Sequence, residues 1–432
     1  MTLPELGELN RGKSKHRPRD AAHLYGGPYP FLQTGDIKNA RGRVTAYSQT
    51  YSEAGLAQSR LWPEGTVAIT IAANIAETSI LTFPACFPDS VVGFVADPTR
   101  CDARFIEYSF QLHRKKIQGE YVGSGSVQDN INLRVLSQLK FLVPPLWEQK
   151  AIAEILGSLD DKIELNRRLN ETLEAMTQAI FRDWFVDFGP TRRKIDGATD
   201  PVEIIGGLVS DPDRARELTD LFPASMDDGL PEGWVEGDLA HYAFLNPESW
   251  SARNAPNEVE YVDLSHTKWG TIETITAYRW LEAPSRARRI VRKGDTIVGT
   301  VRPGNGSYSY VRIDGLTAST GFAALRPKRK TMAELVYLAA TSCENIARLD
   351  KLADGGAYPA VRPDVVLATS LPVVPPDTVD GFSSVCAPLI DRIEHNKDEN
   401  RTLAGTRDLF LPKLMSGKIR LRDAEREIEA VV

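Results

Sequence analysis

The sequence predicts an α+β fold in which two mixed α/β globules are separated by two long antiparallel helices and related by an internal pseudo-two-fold repeat. One observation behind this prediction is internal similarity, because Leu159–Leu173 and Leu389–Leu403 are identical at eight of fifteen positions at an offset of 230 residues. Another is that a long heptad pattern follows each of two Pro-Pro pairs, which end at Pro145 and Pro376. A tandem duplication of globule plus helix accounts for both observations.

The duplication sets the predicted domain boundaries within the 432 residues. The first globule is residues 1–145, and the first long helix is residues 146–188. A linker over residues 189–229 leads to the second globule, residues 230–376. The second long helix and a C-terminal tail take residues 377–432.

Charge is distributed unevenly along the chain. The whole sequence has a net charge of -6, but Lys and Arg number 16 against 13 Asp and Glu in residues 1–144, and 17 against 16 in residues 231–376. The acidic excess therefore lies in the connecting regions. Because binding to nucleic acid needs positive charge near phosphates, two near-neutral to mildly basic globules permit DNA binding without proving it.

Short strands followed by helices are the local pattern of each globule. The predicted strands are rich in β-branched residues and bounded by Gly, Pro or Asp. They are Thr66–Ile71, Val91–Val95, Asp295–Val301 and Thr317–Leu325. The predicted helices that follow them are Ala103–Ile117 and Met332–Leu352.

Apolar residues in alternating steps of three and four predict the long helices. The first helix is predicted from Leu146 to Phe185, about 60 Å at about 1.5 Å per residue. Its seam, the line of positions at this spacing, contains Ile152, Leu156, Leu159, Ile163 and Leu173. In the second helix the seam is Cys386, Leu389, Ile393, Asn396, Asn400, Leu403, Arg407, Phe410 and Leu414.

Two asparagines occupy the seam of each helix at equivalent positions, Asn166 and Asn170 in the first and Asn396 and Asn400 in the second. Buried seam asparagines lower stability but fix the register of paired helices. Solvated polar residues on a loosely packed stretch are the alternative. Their duplication at a constant offset favours the register interpretation.

The segment from Asp187 to Gly229 is rich in Asp, Gly and Pro and is predicted to be a linker with a short helix at Asp213–Leu221. It is long enough to let the two long helices run antiparallel. At the end of the first helix, Trp184, Phe185 and Phe188 could pack in a core or dock a partner, and core packing is favoured.

Several motifs resemble those of the specificity subunits of type I restriction-modification systems, and together they span essentially the whole chain. They are Pro144–Gln149, Phe181–Pro190, Asp220–Pro223, Leu230–Trp234 and Leu411–Ile419. Two features depart from the family pattern: the first globule lacks the Gly-Trp pair that opens the second, and Pro376 is followed by Asp377-Thr378 rather than by a Glu-Gln pair.

The resemblance implies a DNA-recognition protein without an active centre. Its globules would be target-recognition domains, each gripping one half of a bipartite site in double-stranded DNA, and its helices would set the spacer and dock methyltransferase subunits. Two methyltransferase (M) subunits would bind S-adenosylmethionine and flip an adenine from the stack, and restriction (R) subunits would use ATP and Mg. A free-standing scaffold built on the paired helices is the rival hypothesis.

Motifs of catalysis are weak or missing in the sequence. The chain has no phosphate-binding Gly-x4-Gly-Lys-Ser/Thr motif, Pro144-Pro145-Leu146-Trp147 lacks the flanking residues of an amino-methyltransferase loop, and the six histidines show no metal spacing. We therefore expect neither a metal nor a cofactor on this chain. Four scattered cysteines and no long apolar run lead us to expect a cytoplasmic protein that is not embedded in a membrane.

Candidate DNA-binding residues fall into two groups. Lys13, Lys15, Arg17 and Arg19 form a basic loop suited to phosphate contacts, although a solvated loop would have the same composition. Other candidates have side chains able to contact base edges. Some of them lie at or after a predicted strand, whereas those from Ser124 to Gln128 and at Tyr358 and Arg362 precede the final strand of their copy. A purely structural role in turns is equally open for the asparagines. These candidates are Thr70, Asn74, Ser79, Ser124, Ser126 and Gln128 in the first copy, and Arg302, Asn305, Tyr308, Tyr358 and Arg362 in the second.

Two basic clusters in the second globule, Arg286–Arg289 and Lys328–Lys330, have the composition of solvated faces, with phosphate contact as the alternative.

Overall fold

The computed structural model describes residues 1–72, 74–122 and 131–429. The chain forms two compact units. Unit 1 comprises Met1–Asn166 and Asp398–Val432, and unit 2 comprises Arg167–Lys397. Each unit therefore contains one globule together with a part of each long helix.

The globule of unit 1 is built on a sheet with the strand order β1-β7-β5-β6-β3 in its described part, with a small sheet β2-β4 beside it. The strands are β1 (Gly7–Arg11), β2 (Tyr25–Phe31), β3 (Gly42–Val44), β4 (Gln49–Tyr51), β5 (Val67–Thr70), β6 (Thr78–Leu81) and β7 (Val91–Ala96). The helices are α1 (Leu3–Leu6), α2 (Thr34–Asn39), α3 (Glu53–Ala57), α4 (Ala103–Val122) and α5 (Leu133–Gln138).

Unit 2 holds two four-stranded sheets, β10-β19-β16-β17 and β14-β11-β18-β15. Its strands are β8 (Met226–Asp227), β9 (Leu230–Pro231), β10 (Ala243–Leu245), β11 (Glu258–Val262), β12 (Thr267–Lys268), β13 (Thr271–Ile272), β14 (Thr276–Arg279), β15 (Ala287–Val291), β16 (Thr296–Gly299), β17 (Tyr308–Tyr310), β18 (Leu316–Ser319) and β19 (Phe322–Pro327). The helices of its globule are α10 (Ala333–Thr341), α11 (Cys343–Leu352) and α12 (Pro363–Leu367).

Equivalent strands form the same antiparallel core in both units. The pairs β1-β7, β7-β5 and β5-β6 of unit 1 correspond to β10-β19, β19-β16 and β16-β17 of unit 2. The sequence repeat is thus also a repeat of topology, as the fold-class prediction requires.

Two predicted elements of the second copy are each divided in the structure. The predicted strand Thr317–Leu325 is two strands, because a turn at Thr320-Gly321 takes the chain from the sheet of β18 to the sheet of β19. The predicted helix Met332–Leu352 is α10 followed by α11. The break occurs at Ser342, which has extended backbone angles and whose Oγ accepts from the Asn345 amide as an N-cap.

The long helices are α6 (Leu146–Phe185) and α13 (Pro376–Met415), and each contains 40 residues. Both ends of α13 lie 230 residues beyond those of α6, which is the offset of the sequence repeat. The predicted seam of α6 is buried throughout. In α13 the seam is buried except at Leu389, Asn400 and Arg407, which are half-buried.

Within each unit the two helices run antiparallel. In unit 1, Asp160 of α6 pairs with Arg407 of α13, and Asn166 further along α6 contacts Asn400 further back along α13. In unit 2, Asn170 contacts Asn396. The end of α6 there packs its aromatic rings against Phe382, near the start of α13.

The aromatic residues at the end of α6 lie in the core of unit 2, as favoured from the sequence. Trp184 and Phe185 are fully buried, and Phe188 packs against the same cluster. Trp184 meets Phe222 edge to face, and Phe185 stacks against Trp234.

The connecting segment has more structure than the sequence predicted. It contains α7 (Gly189–Ile195), α8 (Pro201–Ile204) and α9 (Pro212–Thr219), of which only α9 overlaps the predicted short helix. A bidentate ion pair of Arg193 with Asp183, with N···O distances of 2.9 and 2.8 Å, ties α7 to the end of α6. The segment also contributes Ile205, Leu218 and Phe222 to the unit 2 core.

A last helix, α14 (Leu421–Glu429), follows α13 and buries Ala424 and Ile428 in the core of unit 1. Across the described residues, every helix is too short or too polar to cross a membrane.

Candidate nucleic-acid interface

In unit 2, three of the predicted DNA-contacting residues converge on one surface. Arg302 and Asn305 belong to a tight turn after β16, in which Arg302 and Gly306 both have left-handed backbone angles (φ 47° and 66°). The Arg302 amide donates to the Pro359 carbonyl at 2.7 Å, so the loop that carries Tyr358 is held against this turn. Tyr358 is 72% exposed, and both Arg302 and Asn305 are exposed.

The Arg302 side chain is fixed in this surface by two contacts. Its Nη2 donates to the Ala357 carbonyl at 2.6 Å, and its guanidinium lies over the Tyr358 ring, 4.7 Å from the centroid. A guanidinium over an aromatic ring keeps N–H donors that the contact with the ring does not use. The arrangement can therefore present donors and an aromatic face to a ligand at the same time.

Two further candidates of unit 2, Tyr308 and Arg362, lie outside this pair. Tyr308 is half-buried in β17, and burial raises the pKa of its phenol to about 12, so it stays neutral. Arg362 is exposed at the start of α12 and bonds to Asp364 at 2.9 Å. Neither residue belongs to the pair formed by Arg302 and Tyr358.

Trp269 is a residue of this surface that sequence reasoning missed. It is 58% exposed, it has a left-handed backbone angle (φ 45°), and its ring meets Tyr308 edge to face at 6.0 Å. Its amide donates to the Gly306 carbonyl at 2.7 Å. A Trp-Gly pair between two polar strands was the available signal, because a large aromatic residue before glycine in a polar turn is seldom needed for the fold alone.

In unit 1, Thr70 and Ser79 are fully buried, which is a correction to their selection as base-contacting residues. The Thr70 hydroxyl bonds to the Asn74 and Glu77 carbonyls and closes the turn after β5. The Ser79 hydroxyl donates to the Ile37 carbonyl at 2.8 Å. Short polar side chains after strands commonly close turns in this way, and these two present no surface to DNA.

The other candidates of unit 1 are more accessible. Asn74 is half-buried and accepts from Lys38 Nζ at 3.4 Å. Lys13 and Lys15 are exposed on the loop that follows β1. Arg17 is exposed too, although its Nη1 donates to two carbonyls of its own loop.

Not every predicted basic residue is available for phosphate. Arg19 is paired with Asp89 at 2.7 Å. Ser124, Ser126 and Gln128 lie outside the described residues, and their predicted contacts stay predictions.

The two basic clusters of unit 2 are partly engaged within the unit. Arg288 stacks on Trp280, 4.5 Å from the ring centroid, and Arg329 pairs with Asp380 at 3.3 Å.

The four seam asparagines form two hydrogen-bonded pairs, one in each unit. In unit 1, Asn166 Nδ2 donates to Asn400 Oδ1 at 3.0 Å and to Glu399 at 2.6 Å. In unit 2, Asn396 Nδ2 donates to Asn170 Oδ1 at 2.7 Å. Because Asn166 corresponds to Asn396 and Asn170 to Asn400 in the repeat, the two pairs are equivalent. Their role in fixing register stays a prediction.

Among the described residues, no group of three or more His, Cys, Asp or Glu side chains has the geometry to hold a metal ion.

Known proteins resemble this chain both locally and over its whole length. Residues 1–175 match the family described as Type I restriction modification DNA specificity domain. The chain is 24% identical to the Type I restriction enzyme HindI specificity subunit of Haemophilus influenzae, over 66% of this chain and 70% of that protein. It is 22% identical to the Type I restriction enzyme MjaIX specificity subunit of Methanocaldococcus jannaschii, over 98% of this chain and 93% of that protein.

A solved structure has the same fold. The crystal structure of the type I restriction-modification system S subunit from M. genitalium superposes with a TM-score of 0.55 at 15% identity, and the match covers 96% of this chain and 95% of that one. The matched domain, the whole-length similarity and the repeated fold agree with one another. Residues 1–175 thus match the DNA specificity domain of type I restriction-modification systems, and the whole chain is similar to specificity subunits of such systems.

Proposed function

We propose that this chain is the DNA sequence-recognition subunit of a type I restriction-modification enzyme. The observation that carries this proposal is the match of residues 1–175 to the DNA specificity domain, together with similarity to a specificity subunit over 98% of the chain. The exposed surface formed by Arg302, Asn305, Tyr358 and Trp269 supports it, because arginine, asparagine and aromatic side chains are the groups that contact base edges.

Each unit reads one half of an interrupted target in double-stranded DNA. The support for this division is the repeat, in which equivalent strands, equivalent helix ends and equivalent asparagine pairs recur at an offset of 230. A protein with two similar reading domains fits a site with two short specific blocks, and the stretch between the blocks need not be read.

The long helices set the spacer between the two blocks and dock two methyltransferase subunits. Exposed apolar side chains along them support docking, since Leu165, Met176 and Leu409 are between 44% and 61% exposed. Apolar groups on otherwise polar helix faces are typical of partner surfaces.

Catalysis and cofactors belong to the partner subunits in this proposal. The chain itself is non-catalytic, the methyltransferase subunits bind S-adenosylmethionine, and the restriction subunits use ATP and Mg. The complex acts in the cytoplasm, where the DNA is. Incubation of the chain alone with S-adenosylmethionine and DNA should transfer no methyl group, and transfer would contradict this division of labour.

Selection from a library of random DNA duplexes tests recognition. The chain, assembled with its methyltransferase subunits, should enrich duplexes that share two short blocks at a fixed spacing, and binding should weaken steeply with salt as phosphate contacts are screened. A scaffold would enrich no motif and would show no dependence of binding on salt concentration.

A further inference from the structure

Trp269 is held rigidly although its indole is exposed. The amide of Trp269 donates to the Gly306 carbonyl at 2.7 Å and the amide of Gly270 to the Tyr308 carbonyl at 3.0 Å. The indole lies against Gly306, where a Cβ atom would come within 2.5 Å of the ring. Glycine at 306 is therefore required for the ring position, and the indole is oriented in advance of any contact.

The long helix α13 holds the other side of the Trp269–Gly270 turn. Lys397 Nζ donates to the Gly270 carbonyl at 2.9 Å and to Glu394 at 3.0 Å, and it lies 3.8 Å from Glu174 of α6. The half-buried Tyr337 lies beneath Gly270, where a Cβ atom would approach its hydroxyl to 3.0 Å. Such support is unusual for a surface turn that serves only to connect two strands of two residues each.

The first copy has an equivalent turn with Arg41 at its tip. Arg41 and Gly42 both have left-handed backbone angles (φ 50° and 110°), as Trp269 and Gly270 do (φ 45° and 77°). The Gly42 amide donates to Ser79 Oγ at 3.1 Å, and Ser309 Oγ donates to the Gly270 carbonyl at 3.2 Å. Ser79 and Ser309 are 230 residues apart, so equivalent serines of the repeat support the turn in the two units.

Arg41 is exposed, and among the described residues its guanidinium makes no hydrogen bond or ion pair. Left-handed angles are uncommon for non-glycine residues and cluster where function requires a particular direction of the side chain. Each unit therefore projects one large side chain from a supported, left-handed turn: a free cation in unit 1 and an indole in unit 2.

We infer that Arg41 and Trp269 are specificity-determining residues that contact base edges in the two halves of the DNA target. This inference rests on the proposed function. Arg41 carries the donors for a bidentate contact to guanine O6 and N7, and Trp269 offers an apolar face to a thymine methyl group. The two residues thus select a G·C pair in one half and a T·A pair in the other.

The test compares variants in selection from random duplexes. Trp269→Ala should lower discrimination roughly 5- to 150-fold at a T·A position in one block, and Arg41→Ala should do so at a G·C position in the other block. In each variant the untouched block keeps its wild-type preference, which also shows that the variant is folded.

Two control variants are matched to these residues. Leu281→Ala removes an apolar side chain that is 94% exposed elsewhere in unit 2 and should leave the motif unchanged. Lys15→Ala removes an exposed cation of unit 1 and should weaken binding to all duplexes alike.

The results of these selections separate the proposed function from the assignment of Arg41 and Trp269. If the wild-type complex enriches no motif, the proposed function is wrong. If the wild type enriches a motif that both variants share, or if either variant loses both blocks together, the assignment of Arg41 and Trp269 is overturned while sequence recognition stands.

Discussion

Glu107 lies fully buried in α4 of unit 1, and its carboxylate accepts from Gln111 at 2.7 and 2.8 Å and from Thr78 at 3.2 Å. The net result is a pKa raised to about 8, because burial raises the pKa most, the hydrogen bonds from Gln111 lower it in part, and the nearby Asp160 raises it. The Glu107 carboxyl group therefore stays protonated in the folded protein over a pH range in which it is ionised in the unfolded chain.

Replacing Glu107 by Gln should remove a pH dependence of stability. Because the pKa is raised from 4.5 to about 8 in the folded state, wild-type stability falls as pH rises between these values, by at most about 1.4 kcal/mol per pH unit. The Glu107→Gln variant should lack this loss and should exceed the wild type most at pH 8. Thermal unfolding from pH 5 to 8.5 measures this difference in stability between the variant and the wild type, with the exposed Glu64→Gln variant as the control. Parallel curves for Glu107→Gln and wild type would contradict the raised pKa.

At the scale of single residues, side-chain types in the sequence indicated most of the exposed surface of unit 2 but not all of the residues that form it. Arg302 and Asn305 were selected because their side-chain types fit base recognition and they follow a strand, and Tyr358 because it precedes the predicted final strand of its copy. Trp269 was missed because its orientation depends on hydrogen bonds to residues about 40 positions away. Thr70 was chosen wrongly because a hydroxyl that closes a turn looks the same in sequence as one that faces solvent.

At the scale of elements, the long helices were predictable because their apolar pattern is periodic over about 40 positions, although the end of the second helix was not predicted. Leu146 and Phe185 bound the first helix both in the prediction and in the structure. The connecting segment was not predictable in the same way, since α7 and α8 are stabilised by contacts such as the Arg193–Asp183 pair rather than by helical periodicity.

The Asn170–Asn396 pair should be costly to break from one side only. Asn396→Ala removes the donor to Asn170 Oδ1 in a buried site, and we expect a loss of about 1–3 kcal/mol. The double replacement Asn170→Leu with Asn396→Leu should recover that loss, because both polar groups are removed together. Melting temperatures compare the variants, with the exposed Glu171→Ala as the control on α6. A double variant no more stable than the single one would contradict this account of the pair.

Lys397 should control how rigid the Trp269–Gly270 turn is. Lys397→Met removes the donor to the Gly270 carbonyl, so amide hydrogen exchange at Trp269 and Gly270 should accelerate roughly fivefold or more, for a hydrogen bond worth about 1 kcal/mol. Lys397→Arg should restore part of the protection. Arg401→Met, at an exposed position on the same helix, should leave exchange in the turn unchanged. Equal exchange in Lys397→Met and wild type would show that α13 does not hold the turn.

At the scale of the whole molecule, the chain is a tandem duplication of one globule followed by one long helix. The offset of 230 recurs in the helix ends, in the asparagine pairs and in the serines beneath the two turns. This duplication was predictable from fifteen aligned positions. Which side chains reach the DNA was not, because the loops that carry them differ between the copies in length and sequence.

Removing one heptad from each long helix should shorten the spacer of the target. Seven residues at about 1.5 Å each shorten a helix by about 10 Å, equivalent to about three base pairs of duplex DNA. The seam stays in phase because the apolar pattern repeats every seven residues. Selection from random duplexes should return both original blocks with the shorter spacing, and an unchanged spacing would contradict the role of the helices as a ruler.

In the proposed function, the two units of this chain each read one half of an interrupted DNA target. Mapping methylated adenines by sequencing, in a host that expresses the chain with its methyltransferase subunits, tests it most directly. We expect one motif of two short specific blocks at a constant spacing, with each block altered by changes in only one unit. A contiguous motif, or methylation without any motif, would contradict it.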